Sequence, residues 1–140
     1  MIIVDTNVVS ELMRPEPDAI VIDWFNRHDP HDLALTSITV GEIMRGIERL
    51  PEGKRKRDLA ERFVLALVES FSGRIYAYDE HAALLFGPAC AALEQAGIAA
   101  HDCDLMIVSI AQLHDAKIAT RNVKDFVHCD VEIINPWEVH

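Results

Sequence analysis

Residues 2–4 are Ile-Ile-Val, a β-branched run with no polar member. A strand that is apolar on both faces suits the interior of a parallel sheet covered by helices. Asp5 follows at once, and a helical pattern starts at Thr6-Asn7. A lone carboxylate at the carboxyl end of a buried strand is pushed toward the crevice where open α/β sheets bind ligands. The same position equally suits an aspartate that only caps the next helix through its side-chain oxygen. The choice depends on whether the remaining chain supplies partners for it.

The chain continues as strands separated by helical segments. The spacing predicts a helix over residues 6–13, closed by Arg14-Pro15-Glu16-Pro17, because each proline disfavours helix in the residue before it. A second helix runs from an Asp18 cap to about Arg27, and Asp29-Pro30-His31-Asp32 reads as a turn. A strand at 33–36, a helix at 39–50, the Pro51-Glu52-Gly53 break and a helix at 54–71 follow. After the turn Ser72-Gly73-Arg74 come a strand at 75–78 and a helix at 80–96, with Asp79 placed to cap it and Gly97 to end it. Asp102 opens a last helix to His114, and strands are predicted at 117–120 and 131–134. This alternation predicts one α/β domain over residues 1–140, with helices on both faces of a mostly parallel sheet joined by right-handed crossovers.

Charge complicates the choice of partner. The net charge is −10, whereas proteins that live on phosphate contacts are usually basic. An acidic chain suits metal binding or a cationic protein partner better than passive nucleic-acid binding. The dense basic cluster Lys54-Arg55-Lys56-Arg57, with Arg45 and Arg49 on the preceding helix, is either a concentrated nucleic-acid contact or a solvated helix start. Apolar runs stop well short of the ~20 residues of a membrane span. The first strand begins at residue 2, which is expected to leave no room for a signal peptide. Cys90, Cys103 and Cys129 form no CxxC pair, as expected for reduced thiols in a cytosolic protein, and lack the spacing of a zinc site.

Placing the strand ends together gathers three acids. Asp5 ends the first strand, Glu42 lies in the first turn of the helix after the second, and Asp104 sits in the first turn of the helix before the 117–120 strand. Each has a structural use taken singly. Thr39-Val40-Gly41-Glu42 has capping-box spacing, in which Glu42 would reach back to the Thr39 amide. Asp102 and Asp104 stand where a helix dipole favours any acid by ~0.3–1 kcal/mol. Together, however, clustered carboxylates repel and take up protons unless a cation neutralises them. An all-oxygen donor set points to magnesium or manganese.

Four blocks now carry a family resemblance: MIIVDTNVVSEL at Met1–Leu12, TSITVGEIMRGIERL at Thr36–Leu50, DCDLMIVSIAQLHDAKIATRNVKDF at Asp102–Phe126, and INPW at Ile134–Trp137. Over essentially its whole length the chain resembles PIN-domain toxin ribonucleases of the VapC type, especially the FitB-like branch. The resemblance implies the PIN-like three-layer α/β/α fold and a metal-dependent endoribonuclease leaving 5′-phosphate and 3′-hydroxyl ends. It implies a cytoplasmic homodimer, held inactive in a toxin–antitoxin hetero-oligomer by an antitoxin that inserts an arginine near the acids. Asp5, Glu42 and Asp104 fall on the family's metal-binding acids, while Thr6, Asn7 and Thr120 fall where polar residues orient them. The fourth acidic position of some members is Asn122 here, a departure that puts a second metal in doubt. Asp102 and Asp125 are the nearby acids that could substitute for it.

Three rival readings share part of this pattern. A haloacid-dehalogenase-type phosphatase needs an Asp two residues after the first, where Asn7 stands, and a receiver-type phospho-acceptor needs a later strand-end Asp with a matching Lys. The remaining alternative is a catalytically idle PIN module that serves as antitoxin partner in an operator-binding complex, a reading that Asn122 favours and the three acids oppose.

Overall fold

The computed structural model describes residues 1–138. Five parallel strands form the central sheet: β1 (Ile2–Val4), β2 (Leu33–Thr36), β3 (Ile75–Tyr76), β4 (Lys117–Ala119) and β5 (Ile133–Ile134), in the order β3-β2-β1-β4-β5. Seven α-helices connect them: α1 (Thr6–Leu12), α2 (Ala19–Asn26), α3 (Ser37–Glu48), α4 (Lys54–Glu69), α5 (Glu80–Gln95), α6 (Asp102–Leu113) and α7 (Val123–Phe126). The chain builds outward from β1 to β2 and β3, then returns to lay β4 and β5 on the other side. The order therefore reverses between β1 and β4, which is where open α/β sheets form their ligand crevice.

Strand register explains the layers. Ile3 stands beside Ala34 and Ile118, and all three point to one face, against Ala82 of α5, Ile107 and Ile110 of α6, and Phe126 of α7. Ile2, Val4, Leu33, Leu35 and Ala119 point to the other face, against Val8, Val21 and Trp24 of α1 and α2, with Leu67 of α4 closing over them. Successive strand residues alternate faces, so a three-residue strand such as β1 serves both halves of the core. Among the described residues, no helix is long and apolar enough to cross a membrane.

Several boundaries differ from the sequence reading, each for a visible reason. The edge strands β3 and β5 have two residues rather than the four predicted, because each pairs on one side only. β4 ends at Ala119, one residue short of the prediction, although the Thr120 amide still donates to the Ile134 carbonyl of β5 at 2.9 Å. The short helix α7 was not predicted; four residues are too few to display a helical period. Gly97 does end α5: it adopts φ +72° while the Ile98 amide donates to the Leu93 carbonyl at 2.9 Å, the Schellman closure that glycine favours. The helix after β2 starts at Ser37 rather than Thr39, a difference that bears on the site.

Candidate active site

Asp5 leaves β1 at the switch point and is 4% exposed. One carboxylate oxygen accepts the Thr6 amide at 2.8 Å and so caps α1. The other accepts the Thr120 hydroxyl at 2.8 Å and the Asn7 side-chain amide at 3.4 Å. A hydroxyl offers one hydrogen and two lone pairs. Thr120 spends all three, because its Oγ1 also accepts Nδ2 of Asn7 and the Asn122 backbone amide, each at 3.1 Å. Asn7 completes the corner by accepting the Arg121 amide at 3.2 Å through Oδ1. The ends of β1 and β4 are thus tied by side chains 113 to 115 positions apart in sequence.

Glu42 is oriented by the same corner. The Thr6 hydroxyl donates to its Oε1 at 2.7 Å. Thr6 has spent its only hydrogen there, so at the 3.1 Å contact between Thr6 and Thr39 hydroxyls the donor is Thr39. This corrects the capping-box reading. Thr36 is the N-cap of α3, and its Oγ1 takes the Thr39 amide at 3.1 Å. β2 runs straight into α3 with no loop, which buries Thr36 completely and makes it the cap. Glu42, no longer needed by its own helix, turns across to α1.

Asp104 comes from the first turn of α6, whose N-cap His101 makes no side-chain capping bond. It is half-buried, and burial followed by the charges of Asp5, Asp125 and Glu42 pushes its carboxyl up to about 6 from 3.8. Burial raises the Asp5 carboxyl too, but hydrogen bonds from Thr120 and Thr6 pull against that rise. Asp5, Glu42 and Asp104 line one cavity of about 480 Å³ with Thr6, Asn7 and Asn122. Thr120 lies behind them and supports Asp5. Asn122 is exposed, as is Asp125, which acts on both aspartates through its charge but does not line the cavity. Asp102 points elsewhere: it is exposed, and its charge raises the thiols of Cys90 and Cys103. All three cysteines are free.

Sequence reasoning missed Ser10, Glu11, Arg14, Arg121 and Trp137 on the same wall. Glu11 carried a signal: it stands three residues after buried Val8 on a short helix, so it had to point inward. It is 6% exposed, pairs with Arg14 at 3.2 Å and accepts the Asp18 amide at 3.1 Å, pinning the loop between α1 and α2. Trp137 carried no local signal, since it reaches the cavity from beyond β5. Of the basic cluster, Lys56 is engaged with Glu48 and Glu52, while Arg55 lines a smaller cavity of about 200 Å³ that shares Ser10, Arg14 and Glu42. A separate cavity of about 390 Å³ beneath α4 is walled by Leu12, Phe25, Phe63 and Phe71 and has no carboxylate.

The donors fit a hard divalent cation. They are all oxygens, and burial followed by the neighbouring negative charges raises the Asp104 carboxyl, a penalty that a cation relieves. Among the described residues no three Asp, Glu, His or Cys side chains encircle an ion-sized point. Magnesium keeps several waters and is commonly held by only one or two carboxylates, so a wall of donors suits it.

Fold and cavity together define an α/β protein with an acid-lined site at the switch point of a parallel sheet. The chain belongs to the PIN-domain family, whose profile matches residues 2–131. It is 35% identical to the toxin FitB of Neisseria gonorrhoeae over 137 residues, covering 98% of this chain and 99% of that protein. It is 33% identical to the VapC ribonuclease Y4jK of Sinorhizobium fredii over 138 residues, covering 99% of each. The solved structure of FitAB bound to an IR36 DNA fragment matches with TM-score 0.94 and 34% identity, covering 100% of this chain and 98% of that one.

Proposed function

We propose that the protein is a metal-dependent endoribonuclease, the cytoplasmic toxin of a type II toxin–antitoxin pair. It hydrolyses RNA phosphodiester bonds with magnesium or manganese held by Asp5, Glu42 and Asp104. The observation that carries this reading is the convergence of those three acids, from β1, α3 and α6, on one cavity at the sheet's switch point. The likeness to a named VapC ribonuclease and to the FitB toxin supports the substrate class and the toxin role. The FitAB structure supports an antitoxin partner and a toxin–antitoxin hetero-oligomer, and the homodimer is what the family resemblance implies.

The division of labour follows from the hydrogen bonds. Thr120, Asn7 and the Thr6 amide hold Asp5 in one orientation, so its oxygens meet a cation without reorganising. Thr6 holds Glu42 by one oxygen, and the other is available to a water or a metal-bound hydration shell. Asp104, whose carboxyl is pushed up to about 6 by burial and then by neighbouring carboxylates, is stabilised as an anion when positive charge arrives. When bound, the divalent ion supplies a water of lowered pKa and polarises the phosphoryl oxygens. Asn122 brings an amide oxygen without charge, which favours a single strongly held ion.

Purified, antitoxin-free protein incubated with total cellular RNA tests this. Cleavage is expected with magnesium or manganese and is expected to stop with EDTA; undiminished cleavage in EDTA overturns the metal mechanism. The second reading is a catalytically idle module that partners an antitoxin on operator DNA, favoured by the uncharged Asn122. Absence of any metal-dependent cleavage, with antitoxin binding retained, would replace the first reading by this one.

A further inference from the structure

Arg121 stands at the mouth of the acid-lined cavity, immediately after Thr120. Its backbone amide is fixed on Asn7, and its guanidinium lies 5.0 Å from the centre of the Trp137 ring. Among the described residues that guanidinium has no carboxylate, carbonyl or hydroxyl partner. Arg14, the other guanidinium on this wall, is paired with Glu11, and Lys56 is paired twice. An arginine without a counter-ion, on a chain of net charge −10 and beside three acids, is held apart from those acids by something. Trp137 does this. Its amide donates to Oδ1 of Asn135 at 2.9 Å, its ring packs against the core beneath β1 and β4, and the guanidinium lies over that ring.

A guanidinium lying over an indole face keeps N–H groups free for an oxyanion, and the two non-bridging oxygens of a phosphodiester can accept them as a pair. A cavity floored by carboxylates repels such a group, so an unpaired cation on its rim offsets that repulsion where the strand enters. We propose that Arg121 binds a backbone phosphate of single-stranded RNA beside the scissile bond, with Trp137 as the residue that positions it. The assignment rests on the ribonuclease reading above and adds to it the group that holds the substrate.

The test uses steady-state cleavage, in magnesium, of the RNA segment that mapping of cleaved ends identifies, at salt from about 50 to 200 mM. Arg121→Gln is expected to raise KM by about tenfold, the scale of a lost charge-assisted contact, with kcat within about twofold. It should also flatten the dependence of log kcat/KM on log salt by about 0.7, the share of one single-strand phosphate contact. A purely structural role would not change that slope. Trp137→Leu keeps the charge, so it should raise KM several-fold with the slope intact, and Trp137→Phe should restore KM.

Arg121 is exposed, so Arg121→Gln carries the test even where Trp137→Leu fails to fold. Unchanged KM and slope in Arg121→Gln, with the wild type cleaving normally, overturns the clamp and leaves the ribonuclease reading standing. Loss of kcat with KM kept also overturns it, as does weakened antitoxin binding with RNA kinetics intact. A wild type that cleaves no RNA removes both readings together.

Discussion

Asp5 and Asp104 are the same residue type in the same cavity, yet their surroundings are opposite. Asp5 is the more deeply buried, and three groups donate to it, from Thr6, Asn7 and Thr120. Among the described residues nothing donates to Asp104, and its carboxyl is pushed up to about 6. Burial penalises a carboxylate less when hydrogen bonds stabilise the charged form, which explains why the group deeper in the protein is the better prepared as an anion. The β1–β4 corner is built for position, whereas the α6 terminus carries a charge that the proposed cation would balance.

The largest expected effect breaks the unsatisfied half. Asp104→Asn is expected to lower cleavage by about a thousandfold, ~4 kcal/mol in the barrier, while raising the melting temperature of the metal-free protein at pH 7. The pH dependence follows from the same shift. Well below pH 3.8 the group is neutral in both folded and unfolded chains; well above about 6 it is charged in both, and only the folded state bears the penalty. Stability of the metal-free protein should therefore fall by about 1–2 kcal/mol as pH rises from about 4 to about 6, less than the full shift because solvent screens a half-buried group. Magnesium should remove most of that fall. Calorimetry across this range, with and without the ion, checks it, and a flat metal-free profile would remove the contrast with Asp5.

Glu42→Gln sharpens the comparison at the third acid. Glutamine still accepts the Thr6 hydroxyl, so the variant should melt nearly like the wild type. It lacks the charge, and cleavage should fall about a hundredfold, ~2.7 kcal/mol. Near-normal cleavage by the folded variant would reduce Glu42 to a partner of Thr6.

The positioned half is tested by Thr120→Val, which keeps the shape but strands a buried carboxylate, an Asn7 amide and the Asn122 backbone amide. Denaturant unfolding should show a loss of about 1–3 kcal/mol, whereas Thr120→Ser, which keeps the hydroxyl, should lose less than about 1 kcal/mol. A negligible loss in Thr120→Val beside a larger one in Thr120→Ser would mean that the Thr120 methyl group, not its hydrogen bonds, holds the corner.

Asn122→Asp is the mildest change, because the position is exposed and its charge is screened by solvent. It should lower the metal concentration for half-maximal cleavage a few-fold. An unchanged requirement would leave Asn122 as the residue whose amide caps Thr120, with no part in holding metal.

The sheet, its layers and the three acids were legible because each rests on short-range pattern: β-branched runs at 2–4 and 33–36, helical periods between them, and an acid at each element end. The capping of α3 was misread because Thr36 and Thr39 both have suitable spacing in TSIT, and only the burial of Thr36 decides between them. Asp102 and Asp104 are two positions apart in the first turn of α6, and only the packing of α6 sends Asp104 inward and leaves Asp102 in solvent.

What the sequence determined by itself is therefore the order and type of elements and the chemistry available at their ends, since hydrophobic period and residue type act over a few positions. Which of those groups touch was decided by tertiary structure. Thr6 meets Glu42 across 36 positions, Thr120 meets Asp5 across 115, and Trp137 comes from beyond β5 to lie under Arg121. Those contacts arise where the pairs β1–β2, β1–β4 and β4–β5 are brought side by side, and side-chain hydrogen bonding reaches only about 3 Å, so no pattern along the chain encodes them.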